Sequence, residues 1–540
     1  MTDYIRPFYF LCVFLITFAC TNQRTSQTDR QASFAEELLH LKDFYHIPGL
    51  AVLVKEGEEI LFEDYFGYAD LEQRTPLDSA HVFPIASISK TFASVLLFQL
   101  IEEGKLSLDT PINTIVENEN LPTGVLVKHL LSHTSQGEIG HRFLYSYRYG
   151  ILTEVIEKVS GFKMETLVQE QIISPLGLTS TAPFTSDSLL DQFPLAKPYT
   201  FYGETEEGYY DPGYSASSGL ISTVRDLALF DNALSGDKLI SEPSRQTMFQ
   251  PFIGSDGAIN PYGYGIFAQE FMGEKLVWGY GQNDCFSSLM LKVPARDLTL
   301  ILLANNNLMS DPPRLINGDV TYSLFALYFL KHFVFDLTTD LSFEDYQAQD
   351  LAAVADVIKS VKTEEEAFFR QELLAHSLGS SFLGRADSTL QTQSASLMQL
   401  AVSRFPDVES YGSLTMLYNL MTLVNDTGQR AFGEHFERLS EALQQVSAND
   451  PYGNVYAAFY YANKGEDGEA AQFFHRIADA NNFSPFWYTI EAWHFLGQFY
   501  KETDPVKARG YFQQIVNMNW NYAGYLDQAK AAIEDLTQAR

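Results

Sequence analysis

Short apolar runs mark the early part of the chain. Gly49 to Val54 and Ile60 to Ala69 are apolar-rich segments separated by the polar stretch Lys55 to Glu59, which predicts two strands joined by a turn. From Ser89 to Leu106 the chain is apolar on nearly every helical face and stops at Gly104, the pattern of a buried central helix. Between 274 and 306, "EKLVWGY", "FSSLMLKVP" and "LTLILLANN" read as adjacent strands with a turn from Pro294 to Asp297. Strands come first, helices in the middle and strands last. That order predicts an α/β (α+β) domain over 34–336, in which one antiparallel sheet is assembled from both ends, is flanked by helices and carries a helical subdomain beside it.

Strand patterns end near Asp340, and 345–540 reads as an all-α region of successive helices. Breaks fall near Gly384–Asp387, Phe405–Asp407, Asn425–Gly428, Asn449–Gly453, Lys464–Gly468 and Asp504–Pro505. Trp493, Leu496, Gly497 and Tyr500 fit W-x2-L-G-x2-Y, and Ala508 and Phe512 follow as A-x3-F. Ala470 and Phe474 repeat that last spacing, and Leu378-Gly379 with Phe382 begins a similar pair. These residues resemble tetratricopeptide repeats, in which each helix pair leaves an apolar face for its neighbour to cover. The alternative is a plain helical bundle. In either case Trp493 and Tyr500 are expected to be packing residues.

Composition narrows the function. The 540 residues are 46% apolar and 19% charged, which is globular, and the net charge of −32 argues against nucleic acid as a partner. Acidity is spread evenly along the chain, as solubility requires. Three cysteines, Cys12, Cys20 and Cys285, exclude a disulfide scaffold, and Cys285 reads as a small packed thiol. Phe8 to Ala19 has signal-peptide proportions, and Thr17-Phe18-Ala19-Cys20 resembles a bacterial lipobox. Residues 1–19 are therefore expected to be a signal peptide, Cys20 a lipidation site, 20–33 a linker, and the location a bacterial cell envelope, with the chain anchored to the membrane and facing the periplasm or exterior. No zinc-type motif and no glycine-rich phosphate loop is present, so no metal or cofactor is expected.

Ser87-Ile88-Ser89-Lys90 is an S-x-x-K motif at the start of the apolar helix. Ser87 and Lys90 share a helical face, so Lys90 can take the serine's proton, and the serine N–H is a helix-terminal donor available to an oxyanion. "HVFPIASISKTFASVLLFQLIEEGKLSLDTPI" (81–112), "VKHLLSHTS" (127–135) and "SSGLISTVRDLALF" (217–230) follow in order. Over roughly 34–335 these resemble the serine β-lactamase / D-Ala-D-Ala-peptidase family, in its class C branch. The resemblance implies a site between a sheet domain and a helical one. It implies a tyrosine base at Tyr145, after Gly140 and Phe143; a one-residue slip would put Tyr147 there instead, and Tyr147 also replaces the family's asparagine. It places Gly279-Tyr280-Gly281 where the family has K-T-G or H-x-G, with Gln282 giving the second oxyanion N–H. Gly279 lacks the family's cation. Arg148, beside the second motif, is a candidate to replace it by holding a substrate anion. His133 matches a position that shapes the domain and is read as structural.

These residues predict a serine hydrolase that acylates Ser87 with a small acyl or peptide substrate, an esterase or D-peptidase rather than a proven β-lactamase. The rival expectation is a catalytically impaired lipoprotein that binds peptidoglycan-like ligands or protein partners, its helical repeats recruiting those partners.

Overall fold

A computed structural model describes residues 30–337 with short breaks at 119–120, 202–203, 211, 311–314 and 317, the single residues 369 and 421, and 430–446, 451–479, 486–518 and 522–538. The N-terminal signal, Cys20 and the Leu378-Gly379-Phe382 pair lie outside the described residues. Among those described, no helix is long and apolar enough to cross a membrane.

Helix α1 (residues 30–44) leads into β1 (Gly49–Glu56), β2 (Glu59–Asp70) and β3 (Thr75–Pro76). After a short bridge, α2 (Ser89–Glu102) opens the helical part, which continues through α3 (Leu152–Ser160) and α4 (Val224–Ser235). The chain then returns to the sheet with β4 (Phe267–Phe271), β5 (Glu274–Gln282), β6 (Ser287–Val293) and β7 (Leu298–Ala304), and α5 (Leu324–Phe329) closes the unit. The main sheet has the order β3-β2-β1-β7-β6-β5-β4, every pair antiparallel. The first and last strands of the sequence therefore meet in its middle, with Leu50 opposite Ala304 and Val52 opposite Leu302.

The period of two explains the layering. Leu50, Val52, Val54, Leu300 and Leu302 face one side and pack with Phe34, Leu38 and Leu41 of α1 and with α5. Ala51, Leu53, Ile301 and Leu303 face the other, against α2 and α4. There Phe92 and Phe230 stack with centroids 3.8 Å apart, tying α2 to α4. Because both faces are covered, β1 reads as a continuous apolar run. The buried charge near its end, Lys55, is 1% exposed and pairs with Asp231 of α4 at 2.6 Å. Lys292 of β6 and Thr299 of β7 complete this buried network, at 3.2 and 2.9 Å from the same carboxylate oxygen. Burial alone would raise the Asp231 carboxyl, but Lys292 and Lys55 hold it below its ordinary range.

The C-terminal helices are α6 (Arg430–Val446), α7 (Pro451–Asn463), α8 (Asp467–Asp479), α9 (Phe486–Tyr500), α10 (Pro505–Met518) and α11 (Tyr525–Gln538). Each packs on the next in sequence. Trp493, Leu496, Gly497 and Tyr500 share α9, and a Cβ at Gly497 would come within 2.6 Å of the Phe512 ring, so the glycine sets how closely α9 and α10 approach. This region is packed on the sheet domain. Leu144 lies in one cluster with Ile490, Ala508 and Phe512, and Phe436, Leu439 and Tyr460 join the core cluster of the sheet.

Candidate active site

The chain enters the site from the two-residue strand Phe83–Pro84. Ala86 has φ +45°, an uncommon conformation for a residue with a Cβ, and the 3₁₀ turn Ala86–Ile88 follows. Helix α2 proper starts at Ser89, so the helix begins two residues after the serine rather than at it. Ser87 is half-buried while Ile85, Ala86 and Ile88 are buried. The left-handed residue thus delivers a hydroxyl to the surface of an otherwise closed turn. Lys90, one turn on and 4% exposed, donates from Nζ to Ser87 Oγ at 2.9 Å and to the Ser217 carbonyl at 2.9 Å. Among the described residues no carboxylate pairs with Lys90 Nζ.

The Ser217 carbonyl has no counterpart in the sequence reading, although "SSGL" carried part of the resemblance. The loop is fastened at several points: Ser89 Oγ accepts from Leu220 N at 3.2 Å, and Thr153 Oγ1 of α3 accepts from Ala216 N at 2.8 Å. Tyr149, fully buried, donates to the Lys90 carbonyl at 3.1 Å and shares a hydrogen bond with Ser94 Oγ at 2.7 Å. Burial pushes its phenol up, so Tyr149 stays a donor.

The tyrosines of the second motif diverge. The Tyr145 ring centroid is 4.9 Å from Lys90 Nζ, whereas Tyr147 is 80% exposed. His133 holds the Tyr145 segment from three directions. Its ring stacks on Tyr145 at 4.3 Å, its Nδ1 accepts from Ser146 N at 2.9 Å, and its carbonyl accepts from Leu144 N at 2.8 Å. Burial, reinforced by the Lys90 charge, holds the His133 imidazole well below its ordinary value, so it is neutral. Arg148 does not present its fork to a ligand. It is buried, donates from Nη1 to the Ser135 carbonyl at 2.6 Å, and braces the 132–136 turn instead. The guanidinium expected to clamp an anion is thus engaged with the Ser135 carbonyl and with the Tyr147 side chain.

Strand β5 forms the opposite wall. β4 pairs with it only as far as Trp278, so from Gly279 to Gln282 its one described partner is β6. A Cβ at Gly281 would collide with the Ile85 carbonyl oxygen and the Ser288 hydroxyl, and Ser288 Oγ itself donates to that carbonyl at 2.9 Å. Glycine is therefore what lets β5 lie against the turn that carries Ser87. Gln282 follows, its side-chain amide committed to the Asn307 carbonyl at 3.1 Å. Gly279 differs from Gly281: a Cβ there would meet only Thr91 Oγ1, at 4.0 Å. The position of the missing cation is open space. Tyr280 is buried, its ring tilted against Tyr145 at 6.3 Å.

The Beta-lactamase family model matches residues 34–318, and the chain belongs to that family of serine hydrolases. It is 27% identical over 304 residues to Penicillin-binding protein 4* of Bacillus subtilis, covering 47% of this chain and 67% of that one. It is 22% identical over 280 residues to D-aminopeptidase of Brucella anthropi, covering 45% of this chain and 53% of that one. Among solved structures, the octameric penicillin-binding protein homologue from Pyrococcus abyssi aligns with TM-score 0.48 and 24% identity, over 51% of this chain and 73% of that one. The match thus spans about half to two thirds of the curated relatives.

Proposed function

We propose that the protein is a cell-envelope serine hydrolase working through an acyl-enzyme on a small ester, amide or peptide. The observation that carries the reading is the 2.9 Å hydrogen bond between Lys90 Nζ and Ser87 Oγ, in a pocket where Lys90 has a carbonyl and tyrosine rings for neighbours. Ser87 Oγ attacks the acyl carbon and its proton passes to the Lys90–Tyr145 pair. The N–H groups of Ser87 and Gln282 receive the oxyanion. The proton then goes to the leaving group, and water releases the acyl chain by the reverse path. Tyr147, Arg148, Gly279, Tyr280 and Gly281 were the residues expected at the substrate. Of these, Gly281 packs against the turn that carries Ser87 and Gly279 has no side chain where the resemblance expects a cation, which favours esters or small peptides over substrates that need a carboxylate clamp. The lipid anchor at Cys20 and tetratricopeptide-like recruitment by the C-terminal helices belong to this proposal, the latter supported by the W-x2-L-G-x2-Y residues on α9 and the Gly497–Phe512 contact.

Steady-state hydrolysis of an activated ester, a D-amino-acid amide, a D-alanyl-D-alanine peptide and a penicillin tests the reading. Turnover of the ester or amide is expected, with Gly279→Lys lowering KM for the carboxylate-bearing substrates alone. Absence of turnover on all four would favour the rival, a binding lipoprotein whose cleft has lost its chemistry.

A further inference from the structure

A cleft of about 780 Å³ lies between the Gln136–Leu144 loop and helices α8, α9 and α10, and none of Ser87, Lys90 and Tyr145 lines it. Its volume and its place between two packed units are those of ligand sites. One wall is preformed. Gly140 N donates to the Thr134 carbonyl at 2.8 Å, Ser255 N to the Gly140 carbonyl at 2.9 Å, and Phe143 N to Asn260 Oδ1 at 2.6 Å. The other wall is built on helices whose spacing Gly497 and Phe512 fix.

The lining selects a ligand class. Trp493 and Tyr511 contribute aromatic surface, and Gln136, Gln514 and Asn517 contribute planar amides that both donate and accept. Trp493, expected only to pack, is half-buried and does both. The carboxylates Glu138 and Asp479 balance the cations Arg142 and Lys507, so the cleft offers no excess charge to a polyphosphate. Polar and apolar groups are mixed along its lining, so an acyl chain would leave the amides and charges unpaired. Its walls are a loop and helix flanks, without the free strand edge or apolar groove that peptides use.

We propose that this cleft is a second binding site, for a neutral or zwitterionic oligosaccharide, whose apolar ring faces lie on the aromatics while its hydroxyl and acetamido groups meet the amides. The site stands apart from the Ser87 chemistry, so binding can be read whether or not Ser87 reacts. Gly510 gives a clean test, because it lines the cleft and a Cβ there has nothing within 4 Å. Gly510→Trp would fill the cleft from a helix surface without removing a core side chain.

Calorimetric titration of the whole chain with a tetramer of N-acetylglucosamine, with inorganic phosphate and with trialanine is the experiment. Saturable binding of the tetrasaccharide, weakened at least tenfold by Gly510→Trp, is expected. The exposed Gln514→Ala should weaken it severalfold, which covers the case that Gly510→Trp misfolds. No saturable sugar binding, sugar binding untouched by both variants, or binding of phosphate or trialanine in its place would overturn the proposal.

Discussion

At the scale of single residues, the two glycines of β5 make opposite predictions although they are two positions apart. Gly281→Ala drives a methyl into the Ile85 carbonyl and Ser288. It should cost about 1–3 kcal/mol by overpacking, and most of the activity, since the turn it displaces carries Ser87. Gly279→Ala meets only Thr91 Oγ1 at 4.0 Å and should change the melting temperature little. Thermal melts paired with acylation rates would separate the two. The tyrosines make a second contrast. Tyr145→Phe removes the phenol of the ring nearer Lys90 Nζ and should lower kcat by about 10²–10⁴-fold, the range for losing a general acid or base. Tyr147→Phe, at an 80% exposed position, should leave kcat within about twofold on the same reasoning. The reverse pattern, a large loss in Tyr147→Phe and little in Tyr145→Phe, would mean that the one-residue slip in the motif is real.

At the scale of elements, most of the sheet was legible in the sequence because β1, β6 and β7 are apolar runs closed by turn residues, and because Gly104 ends the helix that covers them; the short strands β3 and β4 carry no such run. What pattern could not show was which strands adjoin: the pairing of β1 with β7 joins residues some 250 apart and is fixed by packing on both faces. The site divides the same way. Ser87 and Lys90 are neighbours through local helical spacing and could be read directly. The Ser217 carbonyl, the three-sided hold of His133 on Tyr145 and the inward turn of Arg148 depend on how distant loops fold over α2, and no local signal carries them. The Lys55–Asp231–Lys292 network is likewise invisible in sequence, each member looking like a surface charge. It predicts that Asp231→Ala, which strands two buried ammonium groups, destabilises the domain by about 3–5 kcal/mol in denaturant unfolding. Because the carboxyl is held below its ordinary value of 3.8, its contribution is present at neutral pH and is lost as pH falls through the lowered value, below about pH 4.

At the scale of the whole molecule, the helical region shares packed surface with the sheet domain next to the segment that bears Tyr145. Leu144 points into the helical cluster and Tyr145 toward Lys90, so the two regions meet across one peptide bond. Their stabilities should nonetheless respond differently to pH. Burial pushes the Glu491 carboxyl of α9 up to about 7, although Tyr522 donates to it at 3.3 Å. A carboxyl raised in the folded state is easiest to bury when protonated. Stability of the helical region should therefore fall as pH rises from about 4.5 to about 7 and level off above, by at most about 3 kcal/mol. Glu491→Gln should flatten that slope in calorimetric scans, and an unchanged slope would place the titrating group elsewhere.

The central claim is that Ser87 is a working nucleophile. The most direct measurement is the intact mass of the protein after mixing with a fluorophosphonate, an activated ester and a penicillin, with Ser87→Ala beside it. An adduct from at least one reagent is expected, and its loss in Ser87→Ala by about 10⁴-fold or more in rate. No adduct from any of the three, or one that survives the substitution, would contradict it.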